Sequence, residues 1–177
     1  LVKRLHQFKK IMIKIFGKLI LTMFNIGKLG KFPGTIASGV TSLLYIFFYY
    51  YNINYLILFI FFLIIFFVSI YLINLLKNEF EEIDSREIVI DEYLGQSIPI
   101  LFFYVILSEA SISLNFFVII VSISFIGFRF FDILKPYPIN YIDKNLKNGF
   151  GVVFDDIIAG VFTTIVLYVF IIIYDKF

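Results

Sequence analysis

The chain of 177 residues has no cysteine, one histidine, two methionines and four prolines. The absence of cysteine excludes a disulfide framework, a zinc-thiolate site and a thiol nucleophile. The one histidine, His6, sits in a basic N-terminal segment far along the chain from any acidic cluster. It reads as a solvated or interfacial residue, and mechanisms built on a histidine base or nucleophile become unattractive. Charge is scarce too: 16% of residues are charged, against 61% hydrophobic and 21% aromatic, with a mean hydropathy of +0.98. Such a chain has little polar surface for a soluble domain and reads as a small polytopic membrane protein, with no nucleic-acid partner expected.

What is present is organised along the chain. Apolar runs fall at about 36–51, 54–76, 94–107, 114–131 and 157–174. Only the second, fourth and fifth approach the ~20 residues a spanning helix needs, so five crossings are favoured, with three or four as alternatives. The expected fold is all-α, with about four to five membrane helices and an N-terminal amphipathic helix in the interface. Lys and Arg concentrate in the N-terminal segment and in the loops 77–93 and 129–156, while the turns near 52 and 109 have none. By the positive-inside rule the N-terminus and both long loops face the cytoplasm and the C-terminus lies outside.

Residues 8–24 space Lys10, Lys14 and Lys18 four apart among apolar residues, which suits a basic helix on an anionic lipid surface. Lysines interrupt the apolar stretch and no small-residue cleavage site follows, so it is not expected to be a cleaved signal. With no internal repeat and no Ser/Gly linker, the chain divides into this basic segment, 1–26, and one membrane-embedded domain, 27–177.

Four polar constellations interrupt the apolar pattern. Gly27-Lys-Leu-Gly-Lys-Phe-Pro-Gly-Thr35-Ile-Ala-Ser38 offers backbone N–H groups, lysines and the hydroxyls of Thr35 and Ser38 at the start of a helix; it reads as an anion-binding loop with Thr35 as cap, or simply as a loop entering a membrane helix. Asp91 and Glu92 open the next motif, where Glu92 shares a helical face with Gln96, and Asp91 with Gly95, whose missing side chain permits helix approach. These acids read equally as a helix cap or as ligands. In Arg129-Phe-Phe-Asp132-Ile-Leu-Lys135-Pro136 a spacing of three sets two cations on either side of one carboxylate, suited to holding phosphate and metal together or to a snorkelling ion pair. Finally, Asp155-Asp156 precedes Ala159-Gly160: adjacent carboxylates repel unless a cation joins them, and the small residues allow close helix contact.

Charges are costly in hydrocarbon unless they face water, a partner or a metal, and three acidic sites at similar depth suggest a shared polar centre. Oxygen-only ligands suit a hard cation such as Mg2+, and the neighbouring Arg, Lys and N–H groups suit phosphate. The reaction class is therefore metal-assisted phosphoryl chemistry on a lipid head group. A cation transporter and a non-catalytic membrane protein with an acidic metal-binding centre are the alternatives.

The ordered motifs P-G-T-x-A-S, D-E-Y-L-G, F-R-F-F-D-I-L-K-P-Y-P-I and G-F-G-V-V-F-D-D-I-I-A-G, between about residues 27 and 170, resemble those of the phosphatidylglycerophosphatase A family of bacterial membrane enzymes. The first motif lacks a proline that the family usually places before Pro-Gly-Thr, and has Ala37 where a glycine is usual. The resemblance implies Mg2+-dependent hydrolysis of phosphatidylglycerophosphate to phosphatidylglycerol in phospholipid biosynthesis. The location it implies is the bacterial inner membrane, with the site on the cytoplasmic face. It further implies that Asp91, Glu92, Asp132, Asp155 and Asp156 are the catalytic carboxylates, that Glu92, Asp132, Asp155 and Asp156 hold the metal, and that Thr35, Ser38, Arg129 and Lys135 lie near the phosphate.

Overall fold

The computed structural model describes residues 2–80, 85–110 and 113–174; the side chains of Val2, Lys3, Leu5, His6 and Tyr174, and residues 81–84 of the loop before α4, lie outside the description. The described residues form α1 (Val2–Leu21), α2 (Pro33–Tyr50), α3 (Tyr55–Leu76), α4 (Ile90–Glu109), α5 (Leu114–Leu134), the short α6 (Ile139–Asn145) and α7 (Gly149–Tyr174), with no strand among them. Four helices, α3, α4, α5 and α7, are long and apolar enough to cross a membrane. The chain is thus an all-α polytopic membrane protein. The helix count follows from the apolar runs, but α2, α4 and α7 start earlier than their runs, because the polar motifs belong to the first two turns of these helices rather than to loops before them.

Contacts fix the direction of each helix. Gly34, at the start of α2, packs on Glu92 near the start of α4, and Tyr49 Oη near the end of α2 donates to Leu107 O near the end of α4 (3.2 Å), so these two helices run parallel. Helix α3 runs the other way: Tyr55 reaches Glu109, while Asn74 at its far end accepts from Gly149 N at the start of α7 (2.9 Å). Helix α5 is likewise antiparallel to α4, with Phe117 stacked on Tyr49 at one end and Phe128 against Gly95 nearer the other. The result is an up-down-up-down-up bundle of α2, α3, α4, α5 and α7. At 18 residues α2 spans about 27 Å.

Helix α4 is the axis of the bundle. Of its apolar window 72% is buried, against 28–33% for the other three spanning helices, whose outward faces present Phe59, Phe67, Ile126, Val166 and Phe170. Four buried hydroxyls are satisfied within their own helices: Ser38 donates to Gly34 O, Thr41 to Ala37 O, Ser97 to Tyr93 O and Thr163 to Ala159 O, at 2.6–2.9 Å. That i−4 bond lets a polar residue enter a nonaqueous core without an outside partner. Helix α1 lies apart, docked on the end of α3 where Gly17 meets Leu76. Its Lys14 and Lys18 both pair with Glu79, while Phe8, Ile11, Ile15 and Phe16 remain exposed. The amphipathic reading of residues 8–24 is met by a helix that ends at Leu21.

Candidate metal and phosphate site

The closest helix contact in the bundle builds the site. A Cβ on Gly95 would stand 2.6 Å from Asp156 O, and one on Gly160 would strike Gly95 O, so α4 and α7 touch backbone to backbone. Pro99, inside α4, supplies no N–H to the Gly95 carbonyl four residues earlier, leaving that oxygen to face α7. One turn toward the helix starts, this approach brings Asp91 and Glu92 of α4 together with Asp156 of α7. Their carboxylate oxygens lie within 4.8 Å of one another, with Asp91 6% and Asp156 5% exposed.

Each acid in the group lies inside a helix, and Asp91, in the first turn of α4, also accepts from Glu92 N through its Oδ1 (3.1 Å). The first N–H groups of α7 go to Asn148 Oδ1, which accepts from Gly151 N (2.9 Å), and to Asn74. Asp155 and Asp156 are therefore free of the capping role that residues of their type often take at a helix start. Glu92 is pressed against Gly34, where any Cβ would displace its carboxylate, and its Oε2 is buried without a hydrogen-bond partner.

The other acids arrange themselves around this core. Asp132, near the end of α5, adjoins Asp156 and pairs with Arg129, whose Nη1 lies 2.6 Å from Asp132 Oδ2. Neither Nη1 nor Nε of Arg129 makes a directed hydrogen bond, although both are buried. Asp155 faces elsewhere: Lys135 Nζ is 2.7 Å from its Oδ2 and 3.3 Å from Asp143 Oδ1. The expectation that Lys135 shares a helical face with Arg129 and Asp132 is corrected here. Helix α5 ends at Leu134, Lys135 takes left-handed backbone angles (φ 42°), and its side chain turns to α7. That conformation costs a non-glycine residue on the order of 1–2 kcal/mol, offset by the two carboxylates it reaches. Burial acts against the charged ammonium, but the charge and hydrogen bond of Asp155 outweigh it and hold Lys135 above the usual lysine range. The ion pair therefore persists through neutral and moderately alkaline pH.

A cavity of about 150 Å3 opens over Glu92, lined by Phe32, Pro33, Gly34, Thr35, Arg86 and Arg129. Thr35 belongs to the lining but is not the cap of α2: the helix begins at Pro33, preformed for a first helical position, and Thr35 falls within the first turn. Ser38 is fully buried one turn below, its hydroxyl bonded to Gly34 O. Arg86 enters the site unannounced, since in the sequence it serves only as a topology charge. The available signal was its position five residues before Asp91, just ahead of the apolar Ile88-Val89-Ile90 that anchors the start of α4.

Charge balance shows what the arrangement suits. At 4.8 Å and an effective dielectric near 20, two ionised carboxylates repel by about 3.5 kcal/mol, so ionising all three at once, with Asp132 beside them, would cost an energy comparable to the whole stability of a domain unless a cation joins them. Arg129 balances only one of these charges. A buried set of carboxylate oxygens with an uncompensated negative charge has the donor chemistry of a hard divalent cation site.

A model of the family described as Phosphatidylglycerophosphatase A matches residues 19–171. Among curated proteins, Phosphatidylglycerophosphatase A of Haemophilus influenzae is 51% identical over 37 residues, 21% of this chain and 23% of that protein. The protein of the same name from Escherichia coli is 46% identical over 37 residues, 21% of this chain and 22% of its own length. The chain thus spans less than a quarter of the length of the curated relatives it matches. No solved structure matches it. The family match, unlike these short alignments, takes in every helix that carries the site, and the chain belongs to the phosphatidylglycerophosphatase A family.

Proposed function

We propose that the protein is a Mg2+-dependent lipid phosphatase that hydrolyses the terminal phosphomonoester of phosphatidylglycerophosphate, releasing phosphatidylglycerol and phosphate. The observation that carries this reading is a group of three carboxylates, Asp91 and Asp156 buried and Glu92 half-buried, of which Glu92 lines a cavity shared with two arginines at the end of a membrane bundle. Asp91, Glu92 and Asp156 would hold the cation, with Asp132 adjoining, and Asp155 keeps Lys135 in place beside them. When bound, Mg2+ supplies charge neutralisation for the phosphate and acidifies water.

The chain's own groups do the rest. Arg129, with buried N–H donors aimed by its ion pair to Asp132, takes phosphoryl oxygens, and Thr35 offers a hydroxyl from the opposite wall. As the water oxygen bonds to phosphorus and the phosphorus–glyceryl oxygen bond breaks, a carboxylate of the group takes the water's proton and returns it to the departing glyceryl oxygen. Ser38, bonded to Gly34 O, shapes the α2 wall from behind rather than reaching the phosphate.

The distribution of lysines and arginines supports a site on the cytoplasmic face of the bacterial inner membrane. The exposed lysines and apolar residues of α1 support its lying on anionic lipid, where it keeps the site near substrate. The test is phosphate release from phosphatidylglycerophosphate by the detergent-solubilised protein in Mg2+ and in EDTA, beside Asp132→Asn and Asp156→Asn. The expected result is release in Mg2+ only, falling at least about a thousandfold in Asp156→Asn while circular dichroism is unchanged. No release by well-folded wild type overturns the reading.

A further inference from the structure

The cavity has two arginines, and only one is accounted for by the reacting phosphate. Arg129 is deep, 16% exposed and tied to Asp132. Arg86 is its opposite: exposed, on the loop before α4, and without a carboxylate partner among the described residues. It stands at the cavity mouth with Phe32, which is 72% exposed, so the mouth presents one cation and one large apolar ring. A volume of about 150 Å3 is worth roughly five waters at ~30 Å3 each, room for one phosphoryl group and little else. Any second phosphate of the same substrate must lie at the mouth.

Resting on the phosphatase reading, we propose that Arg86 is a specificity-determining residue: it binds the internal phosphodiester of a lipid whose terminal phosphate occupies the cavity, and so selects two-phosphate over one-phosphate lipids. The glycerol between the two phosphates crosses from the Arg129 end of the cavity to its rim, and the acyl chains continue past Phe32 into lipid. Arg86 touches no reacting atom. Its loss therefore weakens binding of one substrate class and leaves the chemical step unaltered, the signature of binding energy shared by ground and transition states.

The experiment compares wild type, Arg86→Gln and Arg86→Lys, as full chains in detergent, on short-chain phosphatidylglycerophosphate and short-chain phosphatidate. Arg86→Gln is expected to raise KM for the two-phosphate lipid about tenfold or more with kcat within twofold, to leave phosphatidate kinetics unchanged, and to be partly rescued by Arg86→Lys. An equal effect on both lipids, or none on either, overturns the proposal. Calorimetric binding of the two lipids in EDTA runs in parallel, so that turnover is not needed. There the wild type's preference for the two-phosphate lipid must shrink in Arg86→Gln; an undiminished preference, or none in wild type, also overturns it. Wild type that binds with this preference yet releases no phosphate removes the phosphatase reading and leaves Arg86 as the selector.

Discussion

The two ends of the bundle make an instructive contrast. At the end where α2 and α4 finish, a cavity of about 490 Å3 is lined by Tyr49, Asn52, Asn54, Tyr55, Tyr104 and Glu109, more than three times the volume at the acidic end. Yet its tyrosine hydroxyls are spent on the protein itself. Tyr104 Oη lies within hydrogen-bonding distance of Phe48 O (3.0 Å) and Ile53 O (2.7 Å), and Tyr49 donates to Leu107 O. At the other end Glu92 Oε2 and Arg129 Nε are buried with no hydrogen-bond partner among the described residues, and Arg129 Nη1 is held only by its ion pair with Asp132. The large cavity is a satisfied structural joint between helix ends, and the small one holds unspent electrostatic capacity. Volume alone points to the wrong end.

The contrast is broken most forcefully by the same change of charge at both ends. In EDTA, Asp156→Asn relieves carboxylate repulsion and is expected to raise unfolding stability by about 2 kcal/mol or more, read as a higher thermal midpoint in detergent. Glu109→Gln, at the tyrosine end, is expected to change it by less than about 0.5 kcal/mol. Equal responses would mean that the acidic group is not under electrostatic strain. Addition of Mg2+ should raise the midpoint of wild type and not that of Asp156→Asn.

Packing sharpens the comparison next. Gly160→Ala places a methyl group against Gly95 O, and the forced separation of α4 from α7 should cost about 1–3 kcal/mol and lower phosphatase activity together. Loss of stability with full activity would show that the carboxylate group tolerates a looser crossing. A smaller loss than that of the crossing belongs to the tyrosine end: Tyr104→Phe removes a hydroxyl from two carbonyls, and about 1 kcal/mol of stability should be lost with activity retained.

Much of this was legible beforehand for physical reasons. Apolar runs fix helices because no other structure satisfies the backbone in hydrocarbon without closing a barrel. Gly95 and Ala159-Gly160 marked a close crossing, and Asp91, Glu92 and Asp156 meet there because each lies one turn from that contact. Periodicity failed at Lys135, where a helix that ends one residue earlier sends the side chain to Asp155 instead of Asp132. It was silent on Arg86, since a residue on a loop has no face until the fold supplies its neighbours. The acids lie at one end of the bundle and not along its length, which fits a site worked from the membrane surface better than a path through it.

The alternation of the five bundle helices carries one more consequence, and it depends on their number being odd. Helices α2, α4 and α7 begin at the acidic end, while α3 and α5 finish there. Taking about half an elementary charge at each terminus, three positive ends against two negative ones leave a net of roughly +0.5 at that end and the reverse at the tyrosine end. A four-helix bundle of alternating direction would cancel to nothing. The fifth helix thus polarises the whole bundle, with its positive pole where the carboxylates gather.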